Sequence, residues 1–318
     1  MSSTKHHAKI EARRVRRPRR LRTLGIGAAL AMVLAMAALA SLLIPAHRQI
    51  RSIQPDLPSI EELRELLLTE GGPSSVRGYK IAEQAFDGGR FSHNSIALEW
   101  PDGRIFLVDL AMDEEGAADF AATLERLMGA EPGVFHENIG TQLGDAALRV
   151  EGVGFTHLHI DHVQGVDRFC NQRGPGATAF STLEQSEQHN FNTREGFVLL
   201  VTSCLETTVL EGQGILPVPG FPGLAMVPLG GHTPGSTLFA AAVGDRIWLF
   251  SGDTTNSKAD LLADRGKGWL YSGFIVPEDT RRTAELRAWL RSLDALPDMT
   301  VVVSHDLEAA QAEGLPSS

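Results

Sequence analysis

Thr156-His157-Leu158-His159-Ile160-Asp161-His162, followed by Val163-Gln164-Gly165, places three imidazoles and one carboxylate within six residues. Neither regular structure accounts for all four. In a helix His157, Asp161 and His162 share a face and His159 points away. In a strand His157, His159 and Asp161 share a face and His162 does not. A loop wrapping an ion lets all four converge, and imidazole nitrogen with carboxylate oxygen is a donor set that holds zinc. The bland alternative is a solvated, histidine-rich turn. Val150 to Phe155 alternates apolar character with two glycines and reads as a strand running into this loop. Val166, Phe169 and Cys170 beyond Gly165 read as a helix start.

Partners for the cluster lie further along. They are His232 in Gly230-Gly231-His232-Thr233-Pro234-Gly235-Ser236, Asp253 in Ser251-Gly252-Asp253-Thr254, and His305 in Ser304-His305-Asp306. Each follows an apolar run that reads as a strand: Leu224 to Leu229, Arg246 to Phe250 and Thr300 to Val303. Four loops at strand ends therefore meet at one edge of a core. With these motifs in this order, the chain resembles the metallo-β-lactamase superfamily over roughly Ser92 to Asp306. The resemblance implies an α/β fold, an αββα sandwich, here preceded by one N-terminal transmembrane or signal helix.

The resemblance also implies two metal sites. His157, His159 and His232 hold the first ion; Asp161, His162 and His305 hold the second; Asp253 bridges them. Two zinc ions are expected, with manganese or iron as alternatives. In such a site a hydroxide between the ions attacks a carbonyl carbon, and Asp161 or bound water passes a proton to the leaving group. Asp306 and Thr233 are candidates to support the ligands, and Asp109, at a strand end, to orient a metal-binding histidine. Leu110-Ala111 stands where relatives often carry Thr-Gly.

The pattern is closest to the lactonase-type branch, although Asn256 occupies the position where that branch often has tyrosine. No flavodoxin-like domain, nuclease-type insertion between Asp253 and His305, glutathione-binding C-terminal domain or cysteine ligand is visible. The expected function is hydrolysis of a small ester, lactone or related carbonyl compound. A β-lactamase-like amide hydrolase is the alternative enzyme. A non-catalytic, membrane-tethered binding protein on the same fold is the alternative of another class.

Charge divides the chain. Nine of the 29 Lys and Arg but only one of the 39 acidic residues fall within residues 1–23, leaving 20 against 38 in the remainder. So acidic a body repels nucleic-acid phosphates, and no nucleic-acid partner is expected. Leu24 to Ile44 is apolar or small throughout except Ser41, and its 21 residues suffice to cross a hydrocarbon core of ~30 Å. The layout read from this is a basic cytoplasmic tail (1–23), a transmembrane anchor or signal segment (24–44), a linker with a short helix (45–90) and a catalytic domain (91–318). The retained anchor and the cleaved signal peptide, the latter with Ala38-Leu39-Ala40 as its cleavage pattern, both stand as readings. Cys170 and Cys204 either form one disulfide in an exported body or remain small core residues.

Between the motifs, Pro45 to Pro58 reads as a proline-bearing linker. Ser59 and Glu62 form a capping box opening a helix with Leu63, Leu66 and Leu67 inward. Ser95 to Trp100 and Arg104 to Leu110, around Pro101-Asp102-Gly103, read as a β-hairpin. Glu114 to Met128 reads as a helix with Phe120, Leu124, Leu127 and Met128 on one side, and Thr280 to Leu296 as another with Leu286, Trp289, Leu290 and Leu293 inward. Residues 171–223 read as a partly extended insertion flanking the site. His93, His136 and His189, isolated in polar surroundings, read as surface residues. Trp269, Tyr271 and Phe274 read either as a wall of the substrate pocket or as a small satellite core.

The basic flank predicts that the N-terminus stays in the cytoplasm and the acidic body lies outside it, in the periplasm or extracellular space. A compartment-sensitive reporter fused after residue 60 is expected to be active on the outer side. Activity confined to the cytoplasm would contradict this topology.

Overall fold

The computed structural model describes residues 19–86 and 89–317. The basic stretch before Arg19 lies outside the described residues. The chain forms two units, divided between Ile44 and Pro45.

The first unit is the apolar part of a helix spanning Arg19–Arg51. Within it Ile26–Arg51 has the length and composition of a membrane span, and its apolar side chains from Ile26 to Ile44 are largely exposed. The expected linker from Pro45 does not begin there, because the helix continues to Arg51. Proline supplies no N–H to the ladder and ordinarily breaks a helix interior. Here the turns beyond Pro45 are held by contacts with the body: His47 Nε2 lies 3.1 Å from the Gly273 carbonyl, and Gln49 Nε2 donates to Gln188 at 3.1 Å.

The second unit is a four-layer sandwich. Seven strands form one mixed sheet: β1 (Ser75–Phe86), β2 (Gly89–Glu99), β3 (Ile105–Val108), β4 (Val134–Phe135), β5 (Val150–Gly154), β6 (Thr178–Thr182) and β7 (Glu206–Leu210), in the order β4-β1-β2-β3-β5-β6-β7. Five strands form the other: β8 (Leu216–Pro217), β9 (Leu224–Pro228), β10 (Thr237–Val243), β11 (Arg246–Phe250) and β12 (Met299–Val302), in the order β12-β11-β10-β9-β8. β3, β5, β6 and β7 run parallel, as do β11 and β12, and the remaining pairs are antiparallel.

The two-residue repeat of the strands sorts side chains between layers. Phe106, Val108, Phe239, Trp248 and Phe250 point between the sheets and form the central core. Their alternates Ile105 and Leu107 face a helical layer with Val166 and Phe169. Leu238, Ala240, Ile247 and Leu249 face the opposite layer with Leu286, Leu290, Leu293 and Leu63. Strands buried on both faces read as unbroken apolar runs, which is why these were visible in sequence. Gly154 makes the sheet approach possible at the site end, since a Cβ there would come within 2.3 Å of the Phe239 ring.

Several expectations hold in detail. Ser59 and Glu62 form the capping box, β2 and β3 form the hairpin, and a helix covers Glu114–Met128. Others change. The body starts earlier than the hairpin, because β1 pairs with the whole length of β2. The 114–128 helix buries Ala117 and Ala121, while Leu127 and Met128 are exposed. Residues 171–223 are no insertion: β6 and β7 extend the parallel sheet, and Phe197 to Val201 lies in a helix, Arg194–Thr202. Polar Thr and Ser on β6 and β7 hid strands whose pairing supplies what their side chains lack. Cys170 and Cys204 are joined in a disulfide that fastens the Val166–Arg173 helix to the approach of β7.

Candidate metal centre

The site lies beyond the C-terminal ends of β3, β5, β9, β11 and β12. Backbone bonds lock these exits together before any side chain is considered. Thr237 N donates to Thr156 O at 2.8 Å, Ser251 N to Val302 O at 3.0 Å, and Ser92 N to His305 O at 3.0 Å. Gly165 N donates to Ala111 O at 2.9 Å, and only glycine fits there, because a Cβ would stand 2.5 Å from the Leu110 carbonyl oxygen.

Asp109 organises the loop that follows β5. Its carboxylate accepts from Thr156 N at 2.7 Å, Thr156 Oγ1 at 2.8 Å and His162 Nδ1 at 2.8 Å. Its backbone has φ 59°, a left-handed conformation that costs a non-glycine residue energy. Ala111, with φ 52°, repeats this two residues on, at the position where the resemblance expects glycine. The expected orienting contact from Asp109 to a ligand-type histidine is present.

All seven expected ligand residues are buried and arrive in one place. Ligand atoms of His157, His159 and His232 lie within 4.8 Å of one another, as do those of His157, His162 and Asp253. His159 Nδ1 is 2.9 Å from His157 Nε2 and 3.1 Å from His232 Nε2. His305 Nε2 is 2.8 Å from Asp253 Oδ1 and 3.6 Å from Asp161 Oδ2; His162 Nε2 is 3.5 Å from Asp253 Oδ1. The other face of three rings is already committed. His162 Nδ1 donates to Asp109, His232 Nδ1 to Glu278 Oε1 at 2.5 Å, and His305 Nδ1 to Ser92 O at 2.9 Å. With Nδ1 as the donor, each Nε2 presents its lone pair to the centre.

These residues fit divalent ions. His162 Nε2, His305 Nε2 and Asp253 Oδ1 are buried and crowd together without forming an aligned hydrogen bond, even where His305 Nε2 and Asp253 Oδ1 stand 2.8 Å apart, and each costs about 1–3 kcal/mol if nothing takes its lone pair. Burial, reinforced by neighbouring histidines, pushes His157 and His159 well below the usual imidazole range. Burial and the Lys267 charge lower His232, against Glu278. Those three rings are neutral, as ligation requires. Burial alone would raise Asp161 and Asp253. The surrounding histidines, joined by Lys267 at Asp253, together outweigh burial and hold both ionised. Burial would likewise lower His162, but Asp109 and Asp161, with the hydrogen bonds around the ring, together hold it well above the usual range, so an ion taking the Nε2 lone pair would displace a proton there.

Two participants were missed in sequence. Lys267 Nζ is buried 2.9 Å from Asp253 Oδ2 and 3.9 Å from Glu278 Oε1. Burial disfavours its charge, but Asp253, Glu278 and the other groups around it together outweigh burial and raise its pKa. Glu278 accepts from His232 and, at 2.5 Å, from Ser272 Oγ. Both come from the weakly patterned segment between α-helix and strand signals, and an isolated Lys or Glu carries no spacing signature. Tyr271 places its ring 5.5 Å from Lys267 Nζ, whereas Trp269 and Phe274 are exposed. The three aromatics are therefore no satellite core.

His93 is a correction. It is 4% exposed rather than a surface residue, and with Asp161 and His305 it forms a further ligand-type trio. His189 is half-buried against Phe197, and His136 pairs with Glu83 at 3.1 Å; neither reaches the centre. Asp306 caps the helix Leu307–Ala312 through Ala309 N, and Thr233 bonds Ser236, so both act on backbone geometry rather than on a ligand ring.

A sequence model described as the Metallo-beta-lactamase superfamily matches residues 88–305. No curated protein matches the chain. Among solved structures, an N-acyl homoserine lactone hydrolase bearing the product N-hexanoyl-L-homoserine at its catalytic metal centre is similar, with a TM-score of 0.56 at 16% identity over 76% of this chain and 96% of that one. A quorum-quenching N-acyl homoserine lactone lactonase has a TM-score of 0.56 at 15% identity over 76% and 95%. A probable metal-dependent hydrolase from Staphylococcus aureus has 0.53 at 14% identity over 74% and 91%. At these identities the likeness is one of fold.

Glu278→Ala is expected to weaken the affinity of the His157/His159/His232 cluster for a divalent ion by about 10- to 100-fold, since it removes the acceptor that fixes the His232 ring. Competition with a calibrated chelator measures this. An unchanged affinity would mean that Glu278 does not orient His232.

Proposed function

The chain belongs to the metallo-β-lactamase superfamily, and on that premise we propose that it is a hydrolase using two divalent ions to open a small ester, lactone or related carbonyl compound. The observation that carries this reading is the convergence of seven buried ligand-type side chains from four loops, with three lone pairs left without partners. His157, His159 and His232 would hold one ion and Asp161, His162 and His305 the other. Asp253 lies between them, 3.6 Å from His232 Nε2 and 2.8 Å from His305 Nε2 through its two oxygens. Zinc suits this donor set, with manganese or iron as alternatives. Such ions supply Lewis acidity and lower the pKa of water towards neutrality.

The protein's own groups do the rest. Asp161, held ionised, is the base that carries a proton to the leaving group. Lys267 is a fixed positive charge beside Asp253, preorganised where negative charge develops on a carbonyl oxygen. The Tyr271 hydroxyl stays protonated, because burial raises its pKa, and it offers a donor near Lys267 where Asn256 has replaced the tyrosine of the lactonase pattern. Glu278 keeps the His232 ring in one tautomer and orientation. We further propose that the body works outside the cytoplasm, tethered by the apolar helix or released from it. The length and composition of Ile26–Arg51 support this, as does the disulfide, because such bonds persist in oxidising compartments.

Acid release in a pH-stat tests the activity. The metal-loaded protein is expected to hydrolyse at least one class among lactones, β-lactams and thioesters, with loss of turnover on chelation and in His159→Ala. Silence across the panel from metal-replete protein, or full activity in His159→Ala, would overturn this reading.

A further inference from the structure

β2 places Phe91 and His93 on one face of the strand through its two-residue repeat. Phe91 stacks on His305 at 3.9 Å between ring centroids, and His93 meets the same ring edge-on at 5.1 Å. Phe120 and Phe91 pack edge-on against His93 at 4.7 and 5.3 Å. Aromatic carbon offers no partner to a ring nitrogen, and His93 Nδ1 is buried without a hydrogen bond. That nitrogen lies 3.5 Å from Asp161 Oδ2, which is itself 3.6 Å from His305 Nε2. His93, Asp161 and His305 thus direct three ligand-type atoms to one point, all within 4.8 Å.

We propose that His93 is an additional ligand of the second ion, joining Asp161, His162, His305 and the shared Asp253. The inference rests on the di-metal reading above and adds to it an asymmetry between the two sites. The first site has three imidazoles and one carboxylate. The second then has three imidazoles and two carboxylates, a donor set too large for the four-coordinate arrangement zinc prefers and suited to cobalt, iron or manganese. With its positions taken by protein, the second ion holds Asp161 and Asp253 in place, and the open position for substrate falls to the first.

Cobalt(II) titration of the metal-free, full-length protein tests this without reference to turnover. Ligand-field absorption is intense for four-coordinate cobalt and weak for five or six ligands. The wild type is expected to bind two equivalents, one adding intense and the other weak visible absorption. In His93→Ala the second equivalent is expected to bind at least about tenfold more weakly and to absorb more strongly, while the first is unchanged and reports an intact fold. His93→Gln, which keeps a side-chain donor for Asp161, is expected to show the same spectral change. Unchanged second-site affinity and spectrum in His93→Ala would overturn the proposal. So would loss in His93→Ala with full retention in His93→Gln, which would make His93 a positioning residue for Asp161. A wild type that binds no cobalt would overturn the metal centre itself, and this proposal with it.

Discussion

Buried imidazole and carboxylate lone pairs have to be taken up, and the architecture around the strand ends answers that requirement. Outward-facing nitrogens are dealt with by protein acceptors: Asp109 for His162, Glu278 for His232, the Ser92 carbonyl for His305. Of the inward-facing ones, His162 Nε2 and His305 Nε2 are left without protein partners, and those of His157, His159 and His232 have only one another. Such a division is costly in an apolar interior and becomes favourable when cations occupy the centre. The left-handed backbone at Asp109 and Ala111 belongs to the same bargain, as strain held at one strand exit to bring a carboxylate under the ligand loop.

The fold serves this centre by rigidity rather than by contact. Two sheets packed face to face bring strand exits from different parts of the chain to one edge, and backbone hydrogen bonds between exits fix the loops independently of any ligand. Lys267 and Tyr271 arrive instead from a glycine-flanked segment with a π-helical turn, Tyr271–Ile275, stitched to the centre through Glu278 and Ser272. The permanent scaffold thus carries the ligand-type residues, and a more irregular segment carries Lys267 and Tyr271 beside them, a division typical of loops displayed on a rigid core.

Legibility in the sequence followed the strength of local patterns. His157 to His162 was readable because no regular structure brings all four residues together. His232, Asp253 and His305 were readable because each follows a doubly buried strand. The Ser59 cap and the 114–128 helix carried their own start signals. His93 was missed because its partners are 68 or more positions away and its neighbours on β2 are polar on the opposite face. Glu278 and Lys267 were missed because a single charge has no period. β6 and β7 were missed because threonine-rich strands in a parallel sheet draw stability from pairing rather than from an apolar pattern. The helix through Pro45 defied a reliable local rule because His47 and Gln49 dock on the body, a tertiary contact that local reading does not see.

The central claim is that one buried centre holds two ions. Diffraction from crystals of the metal-loaded protein, recorded at the absorption edge of the bound metal, addresses it directly. The account predicts two anomalous peaks, one among His157, His159 and His232 and one among Asp161, His162 and His305, with Asp253 between them. A metal-loaded crystal with no anomalous density among these residues would contradict it.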